Sequence, residues 1–290
     1  MFDYSKIEGR NMQMAEHIPN WTCYIPFTYV TMARLGTLAK SLSLALLYIM
    51  PTLYFTLLSA NFSLNILPIY LIGLMMIYTL YEMGYIQNDT EAIKREKKPS
   101  MRLWSRNFDF YNRHKLSIYA TRITIVLILS ILLLLIRGTT TSTILFLISV
   151  WSITLIYQIY NRVRNRWSLF LFVLLQISKY MPYMLLFYPN ISSKTCLLLF
   201  CSFPLCQIME RSSHPRFGIR FSQLIIPNNQ FSTTFRVLYY LIACITLLLL
   251  YILNIISLID CPVYICFLLY RLTILILIKN KFRPKNYLVR

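Results

Sequence analysis

Long apolar runs alternate along this chain with short polar stretches that are mostly basic. A helix that crosses a membrane needs about 20 predominantly apolar residues. Runs of that kind fall at roughly 38–59, 65–87, 117–136, 141–160, 167–188, 194–210, 235–257 and 261–279. The pattern predicts an all-α polytopic membrane bundle of eight, at most nine, transmembrane helices. It predicts a single domain: 1–35 as an amphipathic or cytoplasmic N-terminal segment, 36–279 as the bundle and 280–290 as a basic cytoplasmic tail. Pro51, Pro68, Pro182 and Pro204 lie inside the runs, where they kink helices and free carbonyls toward a cavity. Residues 1–30 carry no short apolar core followed by a small-residue cleavage site, so no cleavable signal peptide is expected.

The polar stretches set the orientation. Lys94, Arg95, Lys97, Lys98, Arg102, Arg106, Arg113 and Lys115 follow the second run. Arg162, Arg164 and Arg166 follow the fourth, and Arg211, Arg216 and Arg220 the sixth. Lys279, Lys281, Arg283, Lys285 and Arg290 close the chain. With eight spans, all of these fall on the side of both termini, and the opposite loops hold only Arg137 and Lys194. Basic loops stay cytoplasmic, so both termini are expected there, in a cell (inner) membrane protein.

Composition agrees. The chain is 57% hydrophobic, with a mean hydropathy of +0.57 over 290 residues, beyond what a soluble domain carries. The net charge of +19 would suit nucleic acid, but its collection at one end of successive spans reads as topology and anionic headgroups. No nucleic-acid partner is expected. The seven Cys form no CxxC pair and lie mostly in apolar runs, where Cys is a small hydrophobe. The sequence has no Gly-rich phosphate loop, and its three His leave no evident Ser-His-Asp set.

Charges at membrane depth point to function. Arg122 lies near a helix start, where it can snorkel. Lys179 lies mid-span and is expected to face a polar cavity. Arg271 suits structural pairing and a substrate contact equally. The acidic residues concentrate: of only ten Asp and Glu, Glu82, Asp89, Glu91 and Glu96 lie within 81–103. Glu82, Asp89 and Glu96 recur every seven residues, a spacing that shares one helical face. Mg²⁺ takes one or two carboxylates together with phosphate oxygens. Asp89 with Glu96 or Glu91, beside Asn88, supplies such ligands, and Lys94, Lys98 and Arg102 then neutralise phosphate. The competing reading is a solvated helix end with pairs such as Glu91–Arg95.

These residues resemble the first aspartate-rich motif of the UbiA superfamily of intramembrane prenyltransferases, NDxxDxxxD at the end of the second helix. Asn88 and Asp89 match its opening. Its second Asp falls on Ala92, with Glu91 adjacent, and its last on Glu96. Lys98-Pro99-Ser100-Met101-Arg102-Leu103 is similar to the basic segment that follows. Tyr157-Gln158-Ile159-Tyr160-Asn161-Arg162-Val163-Arg164-Asn165-Arg166 resembles the family's Tyr-plus-basic loop. Glu210-Arg211-Ser212-Ser213-His214-Pro215-Arg216-Phe217-Gly218 stands where the second motif belongs, with Glu210 and His214 at its Asp positions. Thr31–Ser43, with Arg34 and Lys40, looks like the lead into the family's first helix.

The resemblance implies a Mg²⁺-dependent membrane transferase. It would act on a prenyl or polyprenyl (di)phosphate lipid, moving a prenyl group to a ring or lipid acceptor with diphosphate release. Asp89, Glu96, Arg102 and Arg164 would be catalytic. Asn88, Asp89, Glu91, Glu96 and, more weakly, Glu210 would hold metal. Lys94, Lys98, Arg102, Tyr160, Arg164, Arg166, Lys179, His214 and Arg216 would bind substrate, with His214 otherwise capping a turn before Pro215. The mixed second motif is compatible with the alternative, the branch that transfers phosphoribosyl from phosphoribosyl diphosphate to polyprenyl phosphate for glycan assembly. A catalytically inactive lipid-binding or transport protein is the reading from another class.

Overall fold

A computed structural model describes residues 18–95, 102–103, 105–163, 165–227 and 231–279. Among them every regular element is helical. The chain enters with a 3-10 turn, Asn20–Cys23, and a wide turn, Val30–Leu35. Gly36 ends that turn at φ 63°, in the left-handed region where a side chain would be strained, and Thr37 caps the first long helix. Then come α1 (Leu38–Ser59), α2 (Leu67–Thr90) with a 3-10 turn at each end (Leu64–Ile66 and Ala92–Arg95), α3 (Ser105–Arg137) and α4 (Thr141–Arg162). The second half is more broken: α5 (Trp167–Tyr180), α6 (Pro182–Leu185), α7 (Ser193–Ser202), α8 (Pro204–Ser212), α9 (Arg220–Ile225), α10 (Phe231–Ile252) and α11 (Pro262–Lys279).

Five helical stretches among the described residues are long and apolar enough to cross a membrane: Leu38–Ser59, Leu64–Arg95, Arg106–Arg137, Thr141–Arg162 and Phe231–Ile252. The other apolar helices are shorter. Rows of Leu and Ile on α3, α4 and α10, such as Ile128, Ile131, Leu135, Ile148, Leu155, Ile242 and Leu249, point outward. A soluble monomer rarely exposes so much continuous apolar surface. The chain is an all-helical membrane bundle.

Three of the expected boundaries shift, each for a local reason. The third run is the end of a longer helix: α3 begins at Ser105, because no Gly or Pro interrupts residues 105–137. Pro182 splits the fifth run into α5 and α6, and Pro204 splits the sixth into α7 and α8. The expected kinks at those two prolines are therefore breaks between helices.

Helix α2 is the centre of the bundle. Of its apolar window 61% is buried, against 22% for α10, and a helix apolar on every side belongs inside. It packs on α3 and α4. The α4 contact depends on two glycines three turns apart. A Cβ on Gly84 would stand 2.2 Å from Tyr157 Cγ, and one on Gly73 would stand 2.9 Å from Phe146 Cζ. Small residues allow this kind of close helix approach in membranes.

Residues 18–35 are part of the bundle. Ile18, Tyr29 and Ala33 pack with Ile86, Ile93, Phe108, Tyr111 and Ile118 of α2, its C-terminal turn and α3, and Phe27 stacks on Tyr78 at 4.2 Å. Glu82 holds the segment in place. Its carboxylate accepts the backbone N–H groups of Phe27 (2.9 Å) and Val30 (2.7 Å). It also pairs with Arg122 at 2.8 Å, and neither side chain has any exposed surface. The remaining Arg122 donors go to the carbonyls of Cys23, Thr22, Ile25 and Thr79. Arg122 does not snorkel: it is a buried clasp joining α2, α3 and residues 22–30.

Candidate functional site: a cationic cavity beside Asp89

At the end of α2 that carries Asn88, a cavity of about 400 Å³ opens between α2, α4, α5 and α8. Each helix contributes a polar stripe at helical spacing. Helix α2 supplies Tyr81, Tyr85 and Asn88, and α4 supplies Tyr157, Tyr160 and Asn161. Helix α5 supplies Phe172, Gln176 and Lys179, and α8 supplies Gln207 and Arg211. Arg34 reaches in from the N-terminal turn, and Arg102 and Arg216 from the connections. Five cations thus line one cavity, and no carboxylate lines it among the described residues.

Asp89 lies behind that wall, 1% exposed. Arg34 grips it with both arms, Nε to Oδ2 at 3.0 Å and Nη2 to Oδ1 at 2.7 Å. Arg102 Nη1 donates to Oδ1 at 2.8 Å, Tyr29 Oη to Oδ2 at 3.1 Å and Asn88 Nδ2 to Oδ1 at 3.2 Å. The two arginines retain 19% and 20% exposure, so they bridge the buried carboxylate and the cavity. Burial opposes the charge on Arg34, but Asp89 more than compensates and holds that guanidinium above its ordinary pKa. Arg34 also stacks 3.9 Å over the Tyr85 ring.

Lys179 lies on the wall as the sequence predicts, caged by aromatic rings. Its ammonium is 4.3 Å from the Tyr48 ring centre and within 6 Å of those of Tyr78, Tyr81 and Tyr180. Ring quadrupoles replace part of its lost hydration. Arg211 donates to Tyr160 Oη at 3.2 Å, while its Nε has no partner. Asn161 donates to Gly84 O (3.0 Å) and Gln87 Oε1 (2.9 Å), both acceptors, which fixes its amide orientation and leaves Oδ1 buried and unpaired. Gln176 Oε1 is likewise unpaired.

The other expected site residues are placed elsewhere. Glu91 pairs with Lys94 at 3.4 Å and Lys115 at 3.0 Å, not with Arg95. Neither Glu91 nor Lys94 lines the cavity. Glu210 points away, to Ser232 and to Arg236 at 2.6 Å. The exposed Arg166 lies against Gly218. His214 accepts the Arg216 N–H at 3.3 Å and caps the turn Pro215–Phe217. Burial, then Arg216 and Arg211, push its imidazole below the ordinary histidine range. Arg271 is buried outside the cavity, over the Phe203 and Tyr270 rings. Glu96, Lys98 and Arg164 lie outside the described residues. Glu82 and Asp89 do share one face of α2, but that face holds residues 27–34.

Among the described residues, Asp89, Glu91 and Glu210 stand apart, each held by its own cations. No three of His, Cys, Asp and Glu converge among the described residues, and the oxygens of Asp89 are filled by donors. Compared with family models, curated proteins and solved structures, the chain matches none.

Proposed function

We propose that this protein is an intramembrane transferase of the UbiA type. It holds a prenyl or polyprenyl (di)phosphate with the charged headgroup in the cationic cavity and transfers the prenyl group to a ring or lipid acceptor. The observation that carries this reading is the convergence of Arg34, Arg102, Lys179, Arg211 and Arg216 on one cavity inside a membrane bundle. So many cations gathered at depth require an anion. In the reaction the C–O bond breaks and its electron pair leaves with the diphosphate. Preorganised cations stabilise the charge that develops on the departing oxygen. Tyr81, Tyr85 and Tyr157, with centroids 4.8–5.9 Å apart, present ring edges and faces beside the cations, suited to an electron-poor carbon. The acceptor attacks that carbon and loses its proton.

The reading takes the bundle as eight spans with both termini on the cavity's side, in a cell (inner) membrane with the site facing the cytoplasm. In support, Arg102, Arg166 and Arg216, from the connections after α2, α4 and α8, gather at the cavity end. The opposite end holds the Lys194–Asp260 pair and Arg137 on the Leu186 carbonyl.

Phosphoribosyl transfer to polyprenyl phosphate is the second reading, favoured by the side-chain amides of Asn88, Asn161, Gln176 and Gln207 on the cavity wall. A prenyl diphosphate offers no donor to them, whereas ribose hydroxyls do. One assay tests both. Purified protein receives labelled prenyl diphosphate with membrane lipid extract, or labelled phosphoribosyl diphosphate with polyprenyl phosphate, beside an Arg102→Ala/Arg211→Ala control. Label entering lipid from the first donor supports prenyl transfer, and from the second, the glycolipid reaction. Product from neither, or product equal in the control, rejects the transferase reading in favour of a non-catalytic lipid-binding protein.

A further inference from the structure

The resemblance that suggests a transferase also suggests Asp89 as a metal ligand. The geometry points to a different grip: we propose that Asp89 is a positioning residue that aligns Arg34 and Arg102, and that the cavity binds diphosphate directly through its cations, without a divalent metal. The proposal rests on the reading of the cavity as a diphosphate site.

Three observations carry it. The first is saturation. A carboxylate has about four lone-pair directions, and the two Asp89 oxygens already accept five donors, from Arg34 twice, Arg102, Tyr29 and Asn88. A metal would have to displace a guanidinium whose planar fork matches the carboxylate. The second is position. Asp89 is sealed behind the cavity wall, whereas Arg34 and Arg102 lie on it. Asp89 fixes the Arg34 guanidinium plane through two bonds and anchors Arg102 through one, while leaving each with donors toward the cavity. The third is charge. Five cations line the cavity with no described carboxylate among them, so the positive charge a metal would add is already built in. Among the described residues, the other acidic candidates do not supply a second layer: Glu91 and Glu210 are each held by their own cations away from the wall.

The test is calorimetric titration of inorganic pyrophosphate into the full chain in lipid nanodiscs, in excess EDTA and then in excess Mg²⁺. The proposal expects binding in EDTA, and weaker binding in Mg²⁺, because the metal neutralises the ligand before the protein does. Asp89→Asn, which keeps the shape and loses the charge, should weaken binding about ten-fold, the scale of one charge-assisted hydrogen bond, equally in both buffers. Arg102→Lys, which keeps the charge and loses the fork, should weaken it similarly. Pyrophosphate binding that appears only with Mg²⁺ overturns the proposal and leaves the diphosphate site intact. Binding in neither buffer overturns the proposal together with the site. The comparison of buffers is made on the unaltered protein, so it holds even where a variant fails to fold.

Discussion

Glu82 and Asp89 are seven residues apart on one face of α2, and both bind arginine at 2.7–2.8 Å, yet they belong to different structures. Around Glu82 both charged side chains are sealed, and the donors that Arg122 does not give to Glu82 end on backbone carbonyls. Around Asp89 the carboxylate is sealed but its arginines open on a cavity. The first pair closes the N-terminal segment onto the bundle, and the second turns that segment's Arg34 into part of a wall. The same ion-pair chemistry makes scaffold or site according to where the cation's spare donors point.

The largest effect should come from breaking the sealed pair. Arg122→Leu leaves the Glu82 carboxylate buried without a counter-charge, which costs about 3–5 kcal/mol. It should abolish monodisperse protein or lower Tm sharply, and adding Glu82→Gln should recover part of the loss. Arg34→Ala leaves Asp89 paired with Arg102, so it should lower pyrophosphate affinity far more than Tm. If the two variants unfold the protein equally, the distinction between scaffold and site fails.

Next is the α2–α4 contact. Gly84→Ala drives a methyl group into the Tyr157 ring and should cost about 1–3 kcal/mol as overpacking. Because Tyr157 also lines the cavity, the same change should weaken anion binding. A smaller change is expected at Lys179. Lys179→Met removes a caged cation and should reduce pyrophosphate affinity about ten-fold while leaving Tm unchanged or raised, since burying an unpaired charge is costly.

The smallest effect lies at the far end. Lys194 is 45% exposed and pairs with Asp260 at 2.8 Å, so Lys194→Ala should cost less than ~1 kcal/mol. Burial pushes the Asp260 carboxyl up, but Lys194 and Ser257 outweigh it and leave it below the usual carboxylate range. A carboxyl lowered by folding stabilises above its unfolded value, about 3.9, and loses that contribution as pH falls through its folded value. The Tm difference between Lys194→Ala and the parent should therefore hold near neutrality and vanish on strong acidification.

The sequence made much of this legible, and the misses have physical causes. Apolar run length located the helices, because lipid demands it, and Lys179 was legible as a cavity residue because a mid-span charge has few alternatives. The seven-residue spacing placed Glu82 and Asp89 on one face correctly. Spacing carries no information about what faces them, and residues 27–34 supplied peptide N–H groups, a tyrosine hydroxyl and Arg34. Glu210 lay in a motif-like segment but found Arg236 from α10, a contact between distant parts of the chain. Tyr81, Tyr85, Gln176 and Gln207 belong to no motif, although on each helix the cavity residues recur every three or four positions within apolar sequence, the stripe that a cavity-facing surface leaves.

The central claim is that the cavity is built for a phosphate-bearing headgroup. An experimental structure of the full chain in nanodiscs, saturated with pyrophosphate, tests it most directly. The account expects density for the anion between Arg34, Arg102 and Arg211, with Asp89 still held by both of its arginines. Density for solvent alone in that cavity, or pyrophosphate bound elsewhere on the chain, would contradict it.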